Sequence, residues 1–123
     1  MRALHPSEHQ IQSSFVQWCF LNRVNFYGLH MGFAIPNGGL RNKRVAIKLK
    51  EEGVRAGVLD WCLPIPQGKY IGLFIEFKSA NGALSNEQKF EIKCLKTFGW
   101  KTAVCRSLDE AIDAIKSYYG RVV

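Results

Sequence analysis

The chain has 123 residues, 47% hydrophobic and 22% charged: enough for one hydrophobic core, and the make-up of an ordinary globular domain rather than a disordered or collagen-like chain. No apolar run approaches the roughly 20 residues of a membrane-spanning helix, and the opening residues carry no apolar signal-peptide core, so the expectation is a single stand-alone domain, 1–123, in the cytoplasm with no membrane partner. Lysine and arginine total 17 against 10 acidic residues, a formal charge of +7, and so basic a small chain points to a polyanion, nucleic acid being the commonest.

Ser7 and Gln10 have the spacing of a capping box, and Ile11, Phe15, Trp18, Cys19 and Leu21 follow at helical spacing, so a helix is expected over 8–24. Residues 31–35 are apolar and stop at Pro36-Asn37-Gly38-Gly39, a strand running into a loop. A second helix is expected over 42–52, with Gly53 as its stop. Two strands follow, 58–63 and 70–78, joined by a short Pro- and Gly-containing connection that favours antiparallel pairing. Residues 79–82 read as a turn. Ser85 with Gln88 opens a third helix that ends at Gly99. Residues 100–106 read as a strand, and Ser107 with Glu110 opens a last helix to about 119. The order α-β-α-β-β-α-β-α describes an α/β domain, a mixed sheet covered by helices.

Cys19, Cys62, Cys94 and Cys105 show neither C-x-x-C spacing nor a histidine at zinc-ligand distance, so they are expected as small apolar residues without zinc. His5, His9 and His30 show no ligand spacing either. Trp18, Trp61 and Trp100 each sit in an apolar pattern and are expected in the core.

The chemistry concentrates in the two middle strands. Asp60 interrupts Val58-Leu59-Asp60-Trp61-Cys62-Leu63, and Glu76 and Lys78 interrupt Leu73-Phe74-Ile75-Glu76-Phe77-Lys78. Strand alternation puts Glu76 and Lys78 on one face and Ile75 and Phe77 on the other. If the strands pair, Asp60 approaches Glu76. Two neighbouring carboxylates repel, and a hard divalent cation such as Mg²⁺ relieves them, while an adjacent lysine can hold the attacking water. The competing reading is a solvated polar face on which Glu76 and Lys78 form a weak surface pair.

Gly53-Val54-Arg55-Ala56-Gly57-Val58-Leu59-Asp60 followed by Ile75-Glu76-Phe77-Lys78 resembles the D…(D/E)-x-K core of the restriction-endonuclease-like, PD-(D/E)XK nucleases. More narrowly it resembles the VRR-NUC (virus-type replication-repair nuclease) family. Glu8-His9-Gln10-Ile11-Gln12 is similar to that family's E-x-x-I-Q opening helix, Ile35-Pro36-Asn37-Gly38-Gly39 to its I-P-N-G-G loop, and Gly82-Ala83-Leu84-Ser85 with Gln88 to its G-x-L-S-x-x-Q element. The family strand usually reads G-x-P-D; here Leu59 replaces the proline and the aspartate stays. The resemblance implies a restriction-endonuclease-like fold in which Asp60, Glu76 and the Phe77 carbonyl hold Mg²⁺ or Mn²⁺. It further implies that Lys78 positions the nucleophilic water or stabilises the developing phosphorane charge, that Gln88 supports the site, and that Glu8 completes the acidic cluster. Gln88 is equally placed to be a helix cap, and Glu8 to offset the dipole of the first helix.

Arg41, Lys43, Arg44, Lys48, Lys50 and Arg55 hold six of the 17 cations and lead into the Asp60 strand, as a phosphate-contacting surface would; a solvated helix face is the ordinary alternative. Asn37, Gly38 and Gly39 would let the backbone come close to DNA. The combined expectation is a metal-dependent DNA endonuclease of a bacterial or phage-infected cell. It would be similar to a Holliday-junction resolvase, acting as a homodimer on branched DNA in replication, repair or recombination. The alternatives are a non-catalytic DNA-binding module on the same fold and an RNA nuclease.

Overall fold

A computed structural model of the protein describes residues 5–36 and 42–121. In chain order the elements are α1 (Glu8–Leu21), a 3-10 turn (Leu29–Met31), β1 (Phe33–Ala34), α2 (Lys43–Glu51), β2 (Trp61–Leu63), β3 (Leu73–Phe77), α3 (Asn86–Thr97), β4 (Lys101–Cys105) and α4 (Leu108–Tyr118). The strands form one sheet in the order β1-β2-β3-β4. The first two pairings are antiparallel and β3–β4 is parallel, so the sheet is mixed, as expected.

Each helix starts where a side chain takes up an orphan N–H group. Ser7 and Gln10 close a complete capping box on α1, with bonds of 2.8 and 3.1 Å, and Ser85 and Gln88 do the same on α3. Asn42 caps α2 through the Val45 N–H. On α4 the Ser107 hydroxyl accepts the Glu110 N–H, but the Glu110 carboxylate accepts the N–H of Arg106 rather than that of Ser107.

Several elements are shorter than expected. α1 stops at Leu21 rather than continuing to Val24. Asn22 caps its end, folding its side-chain amide back onto the Trp18 carbonyl, and the Asn25 N–H closes a turn onto Asn22; asparagine competes with helical bonding in this way. Met31 belongs to the 3-10 turn that follows the left-handed Gly28 (φ 78°), not to a strand. β1 then begins beyond Gly32, where a Cβ would lie 2.0 Å from the Trp61 ring. β2 starts at Trp61, so Asp60 stands at the mouth of the strand instead of inside it.

Alternation along the strands divides the sheet. Trp61 and Leu63 of β2, Leu73, Ile75 and Phe77 of β3 and Cys105 of β4 point to one face, where they meet Ile11, Phe15 and Cys19 of α1 and Ala111, Ile115 and Tyr118 of α4. Phe15 sits at the centre, edge-on to Trp61 at 4.9 Å and tilted against Phe77 at 5.5 Å. Cys19, Cys62 and Cys105 are buried free thiols and Cys94 is half-buried; burial pushes the thiol of Cys19 up to about 12, as suits an inert packing group. The opposite face carries Cys62, Phe74 and Glu76, with α3 alongside. α2 buries no side chain completely. No helix among the described residues is long and apolar enough to cross a membrane.

Because Ile115 is fully buried between α4 and this core, Ile115→Val is expected to destabilise the fold by about 0.5–1.5 kcal/mol and Ile115→Ala by about 2–5 kcal/mol. Urea unfolding would check both, with the denaturant slope unchanged.

Candidate active site

The register of β2 on β3 assembles the site. Trp61 pairs with Ile75, which brings the preceding residue, Asp60, opposite Glu76. The Asp60 Oδ2 accepts the backbone N–H of Phe77 at 2.8 Å, so the main chain between Glu76 and Lys78 fixes the aspartate. Ile35 N–H in turn donates to the Asp60 carbonyl at 2.8 Å, carrying the ladder of β1 to the same point. Leu59, at the position of the family's proline, is fully buried.

Glu76 is only 2% exposed and Lys78 9%. A solvated polar face does not describe charged side chains so enclosed. The Lys78 N–H extends the parallel ladder to the Cys105 carbonyl at 3.0 Å, and its Nζ lies 3.4 Å from Glu76 Oε2. The same Glu76 oxygen accepts the side-chain N–H of Gln88 at 2.8 Å. Gln88 also accepts the Ser85 N–H at 2.9 Å through its own oxygen, so one amide caps α3 with its oxygen and bonds Glu76 with its nitrogen. Glu8, in the first turn of α1, reaches the far side of the site, where its Oε2 accepts the Ser79 N–H at 3.4 Å.

This concentration of acid is felt in protonation. The Glu76 carboxyl is pushed up to about 7, by burial first and by the charge of Asp60 second, with Lys78 opposing. Asp60 is also raised, chiefly by burial and further by Glu8, and is held back by the Phe77 N–H. Glu76 Oε1 is completely buried and accepts no hydrogen bond among the described residues, although the Glu76 and Asp60 carboxyls are close enough to share a proton. Such an orphaned acceptor is costly, on the order of 1–3 kcal/mol or more for a charged group, unless something cationic or protic meets it.

A divalent cation fits that description. Among the described residues no three His, Cys, Asp or Glu side chains form a metal cage. What converges is a smaller hard-oxygen set, two carboxylates beside a main-chain segment, with the rest of a coordination shell left to water and substrate. Mg²⁺ accepts such a set, and the softer, nitrogen- and sulfur-seeking Zn²⁺ does not match it.

Of the basic residues, Lys43, Arg44, Lys48 and Lys50 are exposed on α2. Asn37, Gly38, Gly39 and Arg41 lie outside the described residues. Arg55, expected at phosphates, has its guanidinium forked onto Glu91, at 2.5 Å from NH1 to Oε1 and 3.0 Å from NH2 to Oε2, while its side chain stays 64% exposed. Glu91 is buried on α3 one turn beyond Gln88, and the pair ties the segment leading into Asp60 to the helix that supports Glu76. Gly57, at φ 92°, completes that docking; a Cβ there would lie 2.7 Å from the main chain of Glu87. No spacing in the sequence signals Glu91, which stands 36 residues from Arg55. Arg106 is expected from the sequence only as the end of a strand, with no part in the site. Its NH1 donates to the carbonyls of Ser79 and Gly82, at 2.9 and 2.5 Å.

A pH dependence follows. With its folded-state value near 7 against an ordinary 4.5, Glu76 keeps its proton in the folded chain where the unfolded chain has lost it. The folded state therefore binds more protons across that window, and stability falls as pH rises from about 4.5 to 7. In EDTA the thermal midpoint should drop across this range, and Glu76→Gln should flatten the drop. Mg²⁺ or Mn²⁺, needing the ionised pair, should bind more tightly as pH rises and restore the midpoint. Calorimetric titration at pH 5.5 and 7.5 checks this; equal metal affinity at the two would contradict it.

The VRR-NUC domain model matches residues 6–109. Among solved structures, a VRR_NUC domain protein superposes with a TM-score of 0.80 at 27% sequence identity, covering 95% of this chain and 91% of that one. No curated protein matches. The sheet order, the acid–acid–lysine cluster at its heart and the span of the family model lead to one conclusion: the chain belongs to the VRR-NUC family of nucleases.

Proposed function

We propose that the protein is a Mg²⁺- or Mn²⁺-dependent endonuclease that hydrolyses phosphodiester bonds in branched DNA. One observation carries this reading: the enclosed pair of Asp60 and Glu76, with Glu76 Oε1 buried and without a hydrogen bond among the described residues, and Lys78 at 3.4 Å from the other oxygen. Asp60, Glu76 and the carbonyl of Phe77 would hold the cation, which supplies Lewis-acid polarisation of a bound phosphate. Lys78 presents an ammonium group to the reacting phosphate and its attacking water, and stabilises the charge that grows on phosphorus-bound oxygen. Gln88 fixes Glu76 so that its second oxygen faces inward. Glu8 orients from the α1 side. The four exposed cations of α2 contact phosphates without reading sequence.

Two further parts of the reading have separate support. Val16 and Phe20 are exposed apolar side chains on a groove that Cys19, Leu29, Gly32 and Trp61 also line. A second copy of the chain covering them would pair two active sites on one four-way junction. The basic chain and the absence of a spanning helix among the described residues suit a cytoplasmic DNA substrate, in a bacterium or a phage-infected cell.

The deciding assay presents linear, flap, fork and four-way-junction DNA, and matched RNA, with Mg²⁺, Mn²⁺ or EDTA. The expected outcome is metal-dependent cleavage of DNA, strongest on branched forms. Asp60→Asn and Glu76→Gln should abolish it while leaving DNA affinity within about twofold. Lys78→Ala should lower the single-turnover rate roughly 10²-fold at saturating metal. Binding without cleavage in every metal would leave a DNA-binding module instead, and preferential cutting of RNA would reassign the substrate. A dimer should cut both opposing strands of a cruciform in one binding event; accumulation of nicked circles would argue against paired sites.

The α2 surface generates its own expectation. Lys43→Ala, Arg44→Ala and Lys48→Ala together should weaken binding to all duplex sequences alike. The slope of log K against log [salt] should become shallower by about 0.9 for each lost phosphate contact. Fluorescence anisotropy over a range of salt concentrations checks this, and an unchanged slope would place the DNA track elsewhere.

A further inference from the structure

Lys78 is followed at once by a tight turn, closed by the Gly82 N–H on the Ser79 carbonyl at 3.1 Å. That turn borders two site residues. The Ser79 N–H faces Glu8 Oε2, and a Cβ at Gly82 would lie 3.4 Å from that same oxygen and 3.5 Å from Cδ of Lys78. Gly82 thus borders both the lysine stem and the glutamate, with room between them for little more than a methyl group.

Arg106 holds this turn. It directly follows Cys105, whose carbonyl accepts the Lys78 N–H, so the arginine leaves β4 level with the lysine. Its NH1 bridges the two carbonyls at the ends of the turn, Ser79 at 2.9 Å and Gly82 at 2.5 Å. Its own backbone N–H is fixed by Glu110 Oε1 at 2.8 Å, which anchors it to the first turn of α4. Charge-assisted bonds are the stronger kind, and a guanidinium offers several donors in one rigid plane, which an ammonium does not.

We propose that Arg106 is a positioning residue that sets the Lys78 ammonium and Glu8 through the 79–82 turn. It contacts neither of them in the hydrogen bonds described, and it acts on the chemical step without serving as a phosphate ligand. The inference rests on the nuclease reading of Lys78, and its test includes a readout that needs no cleavage.

The experiment compares full-length wild type, Arg106→Gln and Arg106→Lys. It measures amide exchange at Ser79 and Gly82, the NMR signal of the Lys78 side chain, DNA and Mg²⁺ affinities, and the single-turnover rate at saturating DNA and metal. Arg106→Gln should speed Gly82 exchange at least tenfold, shift the Lys78 signal and slow the chemical step about tenfold or more, since small misplacements of a reacting group are expensive. DNA and Mg²⁺ affinities should stay within twofold. Arg106→Lys should recover part of both the exchange protection and the rate, and it serves alone if the glutamine variant does not fold. Unchanged exchange and an unmoved Lys78 signal would overturn the proposal. So would weakened DNA binding with a wild-type rate at saturation, which is the behaviour of a phosphate contact. If the wild type cuts nothing, the nuclease reading fails, and the exchange and Lys78 signals still decide whether Arg106 holds the turn.

Discussion

The structure depends on the antiparallel pairing of β2 with β3. One register, Trp61 opposite Ile75, does two things at once. It delivers Trp61, Leu63, Leu73, Ile75 and Phe77 to the core under α1 and α4, and it sets Asp60 against Glu76 on the other side. A slip of one residue would turn both sets over, exposing the core face and burying the charges in it. The apolar packing of one face therefore enforces a juxtaposition of acids on the other that electrostatics alone would oppose. The Phe77 residue joins the two: its ring packs on Phe15 while its N–H holds Asp60.

That enforced juxtaposition explains why the surroundings of the site look overbuilt. An isolated carboxylate so deeply buried would take a proton rather than a charge. Here Gln88 and Lys78 share one oxygen of Glu76 and leave the other bare. In the proposed reading a divalent cation would meet that oxygen.

Much of this was legible in the sequence, because strand alternation is a property of spacing. Glu76 and Lys78 could be placed on a common face from period two alone, with Asp60 joining them once the two strands paired, and the capping boxes at Ser7 and Ser85 marked the starts of their helices to the residue. Element ends were less readable. Asn22 and Asn25 end α1 through side-chain and turn bonds that helical periodicity does not see, and Gly32 yields to the Trp61 ring, a neighbour about thirty positions away. Long-range polar pairs were not readable at all. Arg55 looked like one more cation in a basic stretch, with nothing to signal its pairing with Glu91, and Arg106 looked like the tail of a strand. Neither partner lies at a helical or strand spacing, so only the folded chain could disclose them.

The two arginines show how the site is supported at a distance. Arg55 joins the approach to Asp60 onto α3, the helix that supplies Gln88; Arg106 joins the exit from Lys78 to β4 and α4. Each works on chain that has no regular structure of its own, immediately before the first acid and immediately after the lysine, where a loop would otherwise fray. α2 is the contrast. It carries cations on an exposed helix with no fully buried side chain, and little of the core holds it. Phosphate contacts tolerate such looseness, because they act through charge over several ångströms, whereas a lysine that must meet a reacting phosphate does not. On the proposed reading, the distribution of tight and loose anchoring in this small domain would follow the demands of the chemistry: rigid where atoms must be placed, and compliant where a polyanion has only to be gathered in.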